Sequence, residues 1–258
     1  MRVWSACAIV LLALTAACGR PEPEVPSPSG RAATPATITA APVPPAPRIG
    51  AVFLGASDTH TCTGAVLDSA AGDLILTAAH CVAADVDTTF VAGFKDSADT
   101  ANIWKVDATY LDPRWMKNRD PLADFAILRV VRDGGGSVES EAGGGFALGP
   151  APKKGTVVSV TGYEFGVGGG PIGCEAPTEL GPGGYPSLLC IGLVGGTSGA
   201  PWIVGPTVIG VVGGLDGGGC DETVTYSPPF DDGVVELLTR AEARGPADTA
   251  PADYSDNC

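Results

Sequence analysis

The chain has 258 residues, of which 45% are hydrophobic and 17% are charged, so its composition supports a packed core and excludes disorder along the whole length. The formal net charge of -14 comes from 29 acidic and 15 basic residues, and the basic residues form no cluster. A nucleic-acid backbone would be repelled by such a surface, so no nucleic-acid partner is expected.

Residues 1–18 have the pattern of an export signal. Arg2 supplies a positive charge, residues 8–14 form a short apolar run, and small residues follow at 15–17. The apolar run is too short to span a bilayer of about 30 Å. Cys18 ends the segment LTAAC, which resembles a bacterial lipobox with its leucine one place early. We expect an extracellular or envelope-surface protein, either lipid-anchored to a membrane through Cys18 or released by ordinary cleavage nearby.

Residues 19–48 predict an extended tether. They are mostly Pro, Ala, Thr and Ser, with very few large apolar side chains. Such a segment cannot offset the entropy lost on ordering, so a semi-rigid spacer is expected. A spacer behind a lipidated cysteine and a simple disordered leader have the same composition, and the sequence does not separate them.

From Ile49 onward the sequence consists of short apolar runs broken by Gly, Asp, Asn and Pro. Each run has the length of a strand and is rich in β-branched residues. Helical spacing is confined to the segment from Asp231 to Ala243, which begins with acidic residues. The pattern predicts an all-β fold, as paired barrels or a sandwich, with one terminal helix. The clearest runs are 51–54, 64–67, 74–76, 126–128, 157–160 and 208–212.

The cysteines of an exported chain are expected to form disulfides. Cys7 is removed with the signal, and Cys18 is the candidate lipidation site. Spacing alone leaves 15 connectivities open for the other six. No CxxC pair or histidine-rich cluster occurs, so neither a metal site nor another cofactor is expected. The six are Cys62, Cys81, Cys174, Cys190, Cys220 and Cys258.

Three short segments carry the residues of a nucleophilic mechanism. A catalytic serine needs a base with a near-neutral pKa, and the chain has only two histidines, His60 and His80. His80 lies in TAAHC, and Asp124, at the head of the apolar run DFAIL, is placed to orient an imidazole. Ser198 lies in GTSGAP, where glycines allow the backbone to turn tightly.

These three segments, in this order, resemble the signatures of trypsin/chymotrypsin-like serine proteases, and most of all the compact trypsin-like peptidases of actinobacteria. The resemblance extends from about Ile49 to Ala243. It implies two packed antiparallel six-stranded β-barrels followed by a helix, within one protease domain. The expected parts of the domain 49–258 are a first barrel at about 49–132, a second at about 146–230, a helix at about 231–244 and a tail at 245–258.

The resemblance also implies a role for each residue of the site. Ser198 would attack the scissile carbonyl of a protein or peptide substrate, His80 would transfer the proton, and Asp124 would orient His80. The N–H groups of Gly196 and Ser198 would form the oxyanion hole. The expected protein is a monomeric serine endopeptidase that needs no cofactor.

The family implies a disulfide between Cys62 and Cys81, beside the histidine segment. Cys174 and Cys190, which both lie shortly before Ser198, are the second expected pair. Cys220 and Cys258 remain by elimination.

The segment before the serine departs from the family pattern. Arg48-Ile49-Gly50 resembles an activation site, at which a new N-terminal amine would pair with an Asp before the catalytic serine. Thr197 stands at that place and cannot form an ion pair. We therefore predict that a cut at Arg48 is not needed for activity.

The family's pattern also points to a substrate pocket. Gly192 occupies the place where trypsin-like members carry a pocket acid, so an Arg or Lys side chain would be buried unpaired and tryptic specificity is not expected. Gly213, Gly214 and Leu215 are the expected pocket wall and substrate-pairing strand, and a small or apolar side chain is the expected occupant.

Several alternatives remain at this level. A catalytically silent homologue could serve as a cell-surface binding module, and the same triad could support esterase activity alone. Asp120 is the rival of Asp124 but lacks the following apolar run. His60 is expected to be structural, and Asp216 is either a solvated loop acid or a pocket residue.

Overall fold

We analysed a computed structural model that describes residues 37–219 and 221–252. The predicted signal segment with Cys18, the tether up to residue 36, Cys220, and the end of the tail with Cys258 lie outside the described residues. No helix within the described part of the chain is long and apolar enough to cross a membrane.

The described residues form fifteen strands and three α-helices. The strands are β1 (Ala41–Pro42), β2 (Ile49–Leu54), β3 (Thr59–Val66), β4 (Leu74–Thr77), β5 (Thr88–Ala92), β6 (Trp104–Leu111), β7 (Ala126–Val131), β8 (Ala147–Leu148), β9 (Val157–Gly162), β10 (Gly166–Val167), β11 (Ile172–Leu180), β12 (Pro186–Leu189), β13 (Pro201–Val204), β14 (Thr207–Val211) and β15 (Val224–Tyr226); the helices are α1 (Pro113–Asn118), α2 (Val138–Ala142) and α3 (Asp232–Glu242).

The first half of the fold is a closed antiparallel barrel. Its six strands pair in the order β3-β2-β5-β6-β7-β4, and β4 pairs again with β3, so the ring closes. Closure leaves no unpaired strand edge, and alternate side chains fill the interior with residues such as Phe90, Leu76 and Ile127, all fully buried. The predicted six-stranded first barrel is confirmed. The short strand β10 reaches across from the second half and pairs with β3.

The second half is an open sheet of six main strands in the order β15-β12-β11-β9-β13-β14, with β8 alongside β14. The expected all-β double-barrel fold is confirmed, with the second half as a half-barrel in which β14 and β15 do not pair as strands. Val211 N–H donates instead to Ser227 Oγ (3.0 Å), and Gly213 N–H donates to Tyr226 O (3.1 Å). Pro228 and Pro229 follow directly; proline lacks an N–H, so the chain cannot continue as a paired strand there.

Residues 37–43, here called the N-terminal strap, are part of the folded domain, although their composition predicted a tether. Ala40 N–H donates to Ile191 O (2.8 Å), and Ile191 N–H donates to Ile38 O (2.9 Å). Strand β1 of the strap pairs with β11, and the partly buried Ile38 and Ala40 pack against the core of the second sheet. The folded part thus begins at about Thr37 rather than Ile49. The side chains of residues 37–43 are mostly too small to order the segment by themselves, but its backbone groups form hydrogen bonds with Ile191 and β11.

The segment Arg48-Ile49 lies inside the first barrel. Ile49 opens β2, and its carbonyl accepts from Gly93 N–H (2.8 Å), while Arg48 O accepts from Val66 N–H (2.9 Å). A cut at this place would break a strand that is bonded on both sides. That no cut at Arg48 is needed for activity stays a prediction.

The C-terminal helix α3 lies within the predicted segment 231–244. Asp231 caps it, accepting from Gly233 N–H (2.9 Å), and Val234, Leu237 and Ala241 form its buried face. This face packs on β6 and β7 of the first barrel. A capping acid followed by apolar residues at helical spacing was sufficient to predict this helix.

The short helices α1 and α2 were not predicted. Asp112 caps α1 ahead of Pro113, and Ser137 caps α2. Helices of five or six residues contain too little periodicity for a pattern to emerge, so only the capping residues were available as a signal.

Two disulfides join the cysteines that the sequence analysis paired. Cys62–Cys81 links β3 to the single-turn 3-10 helix 79–81, and Cys174–Cys190 links β11 to the residue after β12. Each bridge closes a loop of fewer than twenty residues, which is worth about 3 kcal/mol of stability. Structural disulfides are typical of proteins that work outside the cytosol.

The strap supplies the first prediction. A chain that begins at Pro44 should melt about 5 °C below a chain that begins at Thr37, because it loses at least three backbone hydrogen bonds, including the one from Val43 N–H to Pro171 O (3.0 Å), and the burial of Ile38. Thermal unfolding followed by circular dichroism checks this. Equal melting temperatures would contradict a structural role for the strap.

Candidate active site

His80 and Asp124 form a buried pair in the first barrel. His80 lies in the single-turn 3-10 helix that follows β4, and Asp124 lies just before β7. The Nδ1 atom of His80 is 2.7 Å from Asp124 Oδ2, and the backbone N–H of His80 donates to Oδ1 at 3.0 Å. Gly214 N–H also donates to Oδ2, at 2.7 Å. The side chains of His80 and Asp124 are 4% and 1% exposed, so the pair is held with little freedom.

The surroundings of Asp124 keep it ionised. Burial by itself raises the pKa of this carboxyl, but the charge and hydrogen bond of His80, with the N–H groups of Gly214 and His80, outweigh burial and leave the pKa below its usual 3.8. A carboxylate can only accept, so Nδ1 of His80 is the donor. In the neutral imidazole Nε2 then carries the lone pair, whereas in the imidazolium, whose charge stabilises Asp124, both nitrogens carry a proton. The neutral histidine is therefore held in the tautomer that can take up a proton at Nε2.

Ser198 comes from the second half of the fold and lies against the first. Its carbonyl accepts from Thr63 N–H at 2.8 Å. A Cβ on the next residue, Gly199, would lie 2.2 Å from Thr63 O and 2.9 Å from Ala78 N. The backbone at Ser198 and Gly199 is thus packed on the strand that holds Cys62 and on the residues just before His80.

The segment before Ser198 has its carbonyls turned towards the protein. Val194 O accepts from the N–H and Oγ1 of Thr197 at 3.1 and 2.7 Å, and Gly195 O accepts from Phe165 N–H at 2.7 Å. Gly196 O accepts from the hydroxyl of Thr63 at 3.1 Å. Among the described residues no acceptor is found for the N–H groups of Gly196 and Ser198. These two amides are therefore available to an external oxygen.

Thr63 joins the two halves of the fold at the site and Thr77 bonds to Thr63, and neither residue was predicted from the sequence. Thr63 Oγ1 donates to Gly196 O and accepts from Tyr163 N–H at 2.9 Å. Thr77 Oγ1 donates to Thr63 O at 2.7 Å. Both threonines are fully buried. In the sequence, only their positions next to the motif residues Cys62 and Ala78 suggested a role at the site. Their hydrogen-bond partners are distant in sequence and could not be identified from it.

Thr197 stabilises the loop locally. Its N–H and hydroxyl both bond Val194 O three residues back, and the side chain is 1% exposed. The loop is thus closed on itself and held by Phe165 and Thr63, without an ion pair at this position.

A pocket of about 180 Å³ lies beside Ser198. Gly192, expected at the pocket, is not among the residues that line it; its N–H donates to Glu222 O at 2.8 Å. Glu222 was not predicted as a pocket residue; it is exposed and is the only carboxylate residue among the described lining residues. These are Leu193, Val194, Gly195, Thr197, Ser198, Val212, Gly217, Gly218, Gly219 and Glu222.

The other expected pocket residues lie nearer to Asp124. Gly214 donates to its carboxylate, and a Cβ on Gly213 would lie 3.0 Å from Asp124 Oδ2. Leu215 begins a 3-10 turn that also contains Asp216. Gly213 and Gly214 thus lie against the carboxylate of Asp124, and Leu215 follows them in the chain.

Asp120 and His60 have roles away from the pair. Asp120 caps the 3-10 turn 121–123, accepting from Leu122 N–H at 3.0 Å. His60 packs edge-to-face against Phe53 and Phe94, and its Nε2 atom lies 2.9 Å from Gly168 O.

Cys62, His80 and Cys81 place potential metal-ligand atoms within 4.8 Å of one another. Both sulfurs belong to the disulfide and are not thiolates. This cluster therefore does not provide the ligand set of a structural zinc site.

Comparison with known proteins gives a consistent result. The family model described as a trypsin-like peptidase domain matches residues 62–211. A search of curated proteins finds no significant sequence match.

Solved structures resemble the chain at the level of fold. The protease Anisep from Arthrobacter nicotinovorans is 20% identical with a TM-score of 0.69, covering 78% of this chain and 98% of its own. The thermostable serine protease AL20 from an extremophilic microorganism is 20% identical with a TM-score of 0.67, covering 77% and 98%. A Glu endopeptidase is 16% identical with a TM-score of 0.63, covering 80% and 97%.

The buried threonines supply the second prediction. Thr63→Val leaves Gly196 O and Tyr163 N–H without partners, so the free energy of unfolding should fall by about 2 to 4 kcal/mol. Thr61→Val is the matched control on the same strand, because its buried hydroxyl has no partner among the described residues; its effect should stay within about 0.5 kcal/mol or be stabilising. Urea unfolding measures both, and equal losses would contradict the role of Thr63.

Proposed function

The chain belongs to the trypsin-like peptidase family, and on this premise we propose that it is a serine endopeptidase acting through Ser198, His80 and Asp124. The observation that carries the proposal is the buried His80–Asp124 pair, 2.7 Å apart, beside a Ser198 segment whose carbonyls face inward. A site for acyl transfer needs such a pair together with backbone N–H groups that are not bonded within the protein, and among the described residues no acceptor is found for those of Gly196 and Ser198.

In the proposed reaction, Ser198 Oγ attacks the carbonyl carbon of the scissile peptide bond, and its proton passes to His80 Nε2. The tetrahedral intermediate collapses, the C–N bond breaks, and His80 returns the proton to the leaving amine. Water then attacks the acyl-enzyme by the same route and releases the acid. Asp124 holds the tautomer of His80 and stabilises the imidazolium, without itself taking the proton.

The N–H groups of Gly196 and Ser198 are the proposed donors to the oxyanion. Removal of one such donor typically costs about 3 to 4 kcal/mol of transition-state stabilisation. Gly196 has a φ of +92°, and a Cβ there would lie 2.0 Å from Phe165 N. Glycine is therefore the residue that allows this amide to point outward.

We propose that the pocket beside Ser198 accepts a small or apolar side chain. Apart from Thr197 and Ser198, its described lining is glycine, apolar residues such as Leu193 and Val212, and Glu222, whose side chain is exposed to water. A buried Arg or Lys would find no enclosed carboxylate among these residues, so its desolvation would be uncompensated.

We propose that the protein is exported and works in the extracellular space or at the envelope surface. The two disulfides support an oxidising compartment, and the N-terminal sequence has the pattern of an export signal. Lipid attachment at Cys18 is the proposed means of retention. Mass spectrometry of the N-terminal peptide from the native membrane fraction distinguishes an acylated Cys18 from a cleaved, lipid-free terminus.

The third prediction tests the enzymatic proposal. A fluorophosphonate probe should label the protein covalently at Ser198, and Ser198→Ala should not be labelled. Labelling should rise with pH as His80 loses its proton, because the base must be neutral to accept the serine proton. Intact-protein mass spectrometry measures the rate. Absence of labelling would favour the silent binding module, and a rate that is flat from about pH 5 to 8 would contradict His80 as base.

The fourth prediction separates Asp124 from Asp120. Asp124→Asn should lower the labelling rate by orders of magnitude, as in other Ser-His-Asp sites, where the corresponding change costs on the order of 10⁴-fold. Asp120→Asn alters only a turn cap, so its rate should stay within about twofold while stability changes by less than about 1 kcal/mol. Equal rates for the two variants would exclude Asp124 from the mechanism.

A further inference from the structure

The first barrel carries an open pocket of about 460 Å³, more than twice the volume of the pocket beside Ser198. Neither the proposed reaction nor the sequence motifs account for it. It lies between strands β2 and β5, the loop 94–98, and strand β10 of the second half. The residues that line it are Phe53, Ser57, Asp58, Thr89, Val91, Phe94, Asp96, Ser97, Ala98, Ile103, Val167 and Gly168.

The inner wall of this pocket is apolar and firmly packed. Phe53 and Phe94 meet edge-to-face at 5.4 Å, and both pack against the buried ring of His60. Tyr163 OH donates to Phe94 O at 3.0 Å, which fixes the loop that carries Phe94. The wall is therefore preformed, so a ligand would not have to order it.

The charge of the pocket is negative. Asp58 and Asp96 both contribute to the lining, whereas no Lys or Arg does, and neither carboxylate has an ion-pair partner among the described residues. Lys95, the nearest basic residue in sequence, is not part of the lining. Apolar walls below exposed carboxylates match a Lys or Arg side chain, which has an apolar stem and a cationic end.

The pocket is connected to the oxyanion segment by residues 163–168, here called the bridging hairpin. Phe165 N–H donates to Gly195 O at 2.7 Å, while Gly168 lines the pocket, and Asp96 N–H donates to Gly169 O at 2.7 Å. Phe165 and Val167 are 65% and 66% exposed, which is unusual for such large apolar side chains. They form an exposed apolar path from the Ser198 segment to the pocket.

The proposed reaction indicates which part of the substrate lies along this path. The leaving amine must lie near His80, which protonates it, and His80 belongs to the first barrel. The acyl part of the substrate lies on the other side, at the pocket formed by residues of the second half such as Leu193 and Val212. Substrate residues that follow the cut bond therefore extend over the first barrel.

We propose that the pocket of Phe53, Phe94, Asp58 and Asp96 binds a Lys or Arg side chain of the substrate, on the leaving-group side of the cut bond. The inference rests on the proposed endopeptidase function. It assigns selectivity for a basic residue to a pocket separate from the one beside Ser198.

The fifth prediction tests this pocket with acyl transfer in the full-length protein. p-Nitrophenyl acetate acetylates Ser198 and releases nitrophenol, and an added peptide amine then takes the acetyl group in competition with water. The acceptors are glycine-based hexapeptide amides with one lysine, moved stepwise from the second to the sixth position, and the same peptides with norleucine. The yield of peptide acetylated at its α-amine, measured by tandem mass spectrometry so that acetyl-lysine is not counted, should be severalfold and up to about fivefold higher for lysine at one position, since an exposed ion pair is worth up to about 1 kcal/mol.

The variant Asp58→Asn/Asp96→Asn should abolish this preference without changing the nitrophenol burst. Asp87→Asn is the matched control, because Asp87 is an exposed acid on the same barrel that does not line the pocket. A normal burst with equal yields for lysine and norleucine at every position would overturn the pocket while leaving the proposed reaction intact. Retention of the preference in the double variant would also overturn it.

The absence of a burst would count against the proposed reaction, and the pocket is then judged by binding alone. Isothermal titration with the same peptides at low salt should show tighter binding of one lysine peptide than of its norleucine partner. The difference should vanish in the double variant. Equal affinities would overturn the pocket independently of catalysis.

Discussion

The candidate site depends on one set of hydrogen bonds, in which Thr63 of the first barrel holds the Gly196–Ser198 segment of the second half. The backbone N–H of Thr63 bonds Ser198 O, its hydroxyl bonds Gly196 O, and its own carbonyl accepts from Thr77. Because these groups are fully buried, breaking any one of them leaves an unsatisfied polar atom. The backbone geometry at Ser198, the proposed nucleophile, is thus set by the other half of the fold.

The His80–Asp124 pair also depends on a contact between the two halves of the fold, here one donated by the second half to the first. His80 and Asp124 belong to the first barrel, but Gly214, which follows strand β14 of the second half, also donates a hydrogen bond to Asp124. Each half of the molecule therefore contacts a proposed catalytic residue of the other half, Thr63 at Ser198 and Gly214 at Asp124. The second sheet is not closed by strand pairing, but its open side is held by the hydrogen bonds of Ser227 and Tyr226 to residues at or just after the end of β14. The segment that contains Ser198 is held by the first barrel.

Order in the loop before Ser198 comes from many neutral hydrogen bonds rather than from one ion pair. Thr197 closes the loop on Val194, Phe165 holds Gly195, and the strap residues Ile38 and Ala40 hold Ile191 at its start. A loop held in this way is formed as the chain folds. The bridging hairpin also links this loop to the larger pocket, since Phe165 bonds Gly195 O and Gly168 lines the pocket.

The sequence by itself determined the all-β class, the helix α3, the family resemblance and the residues expected to carry the chemistry, because strand periodicity, helix capping and the catalytic segments are local properties of the chain. It did not determine the strap, since residues 37–43 become ordered only on the edge of β11 and against Ile191. Nor could the sequence predict the role of Thr63, the opening between β14 and β15, or the pocket between Phe53 and Asp96. Each depends on groups that are distant in sequence and become neighbours only when burial in the tertiary fold removes water from between them.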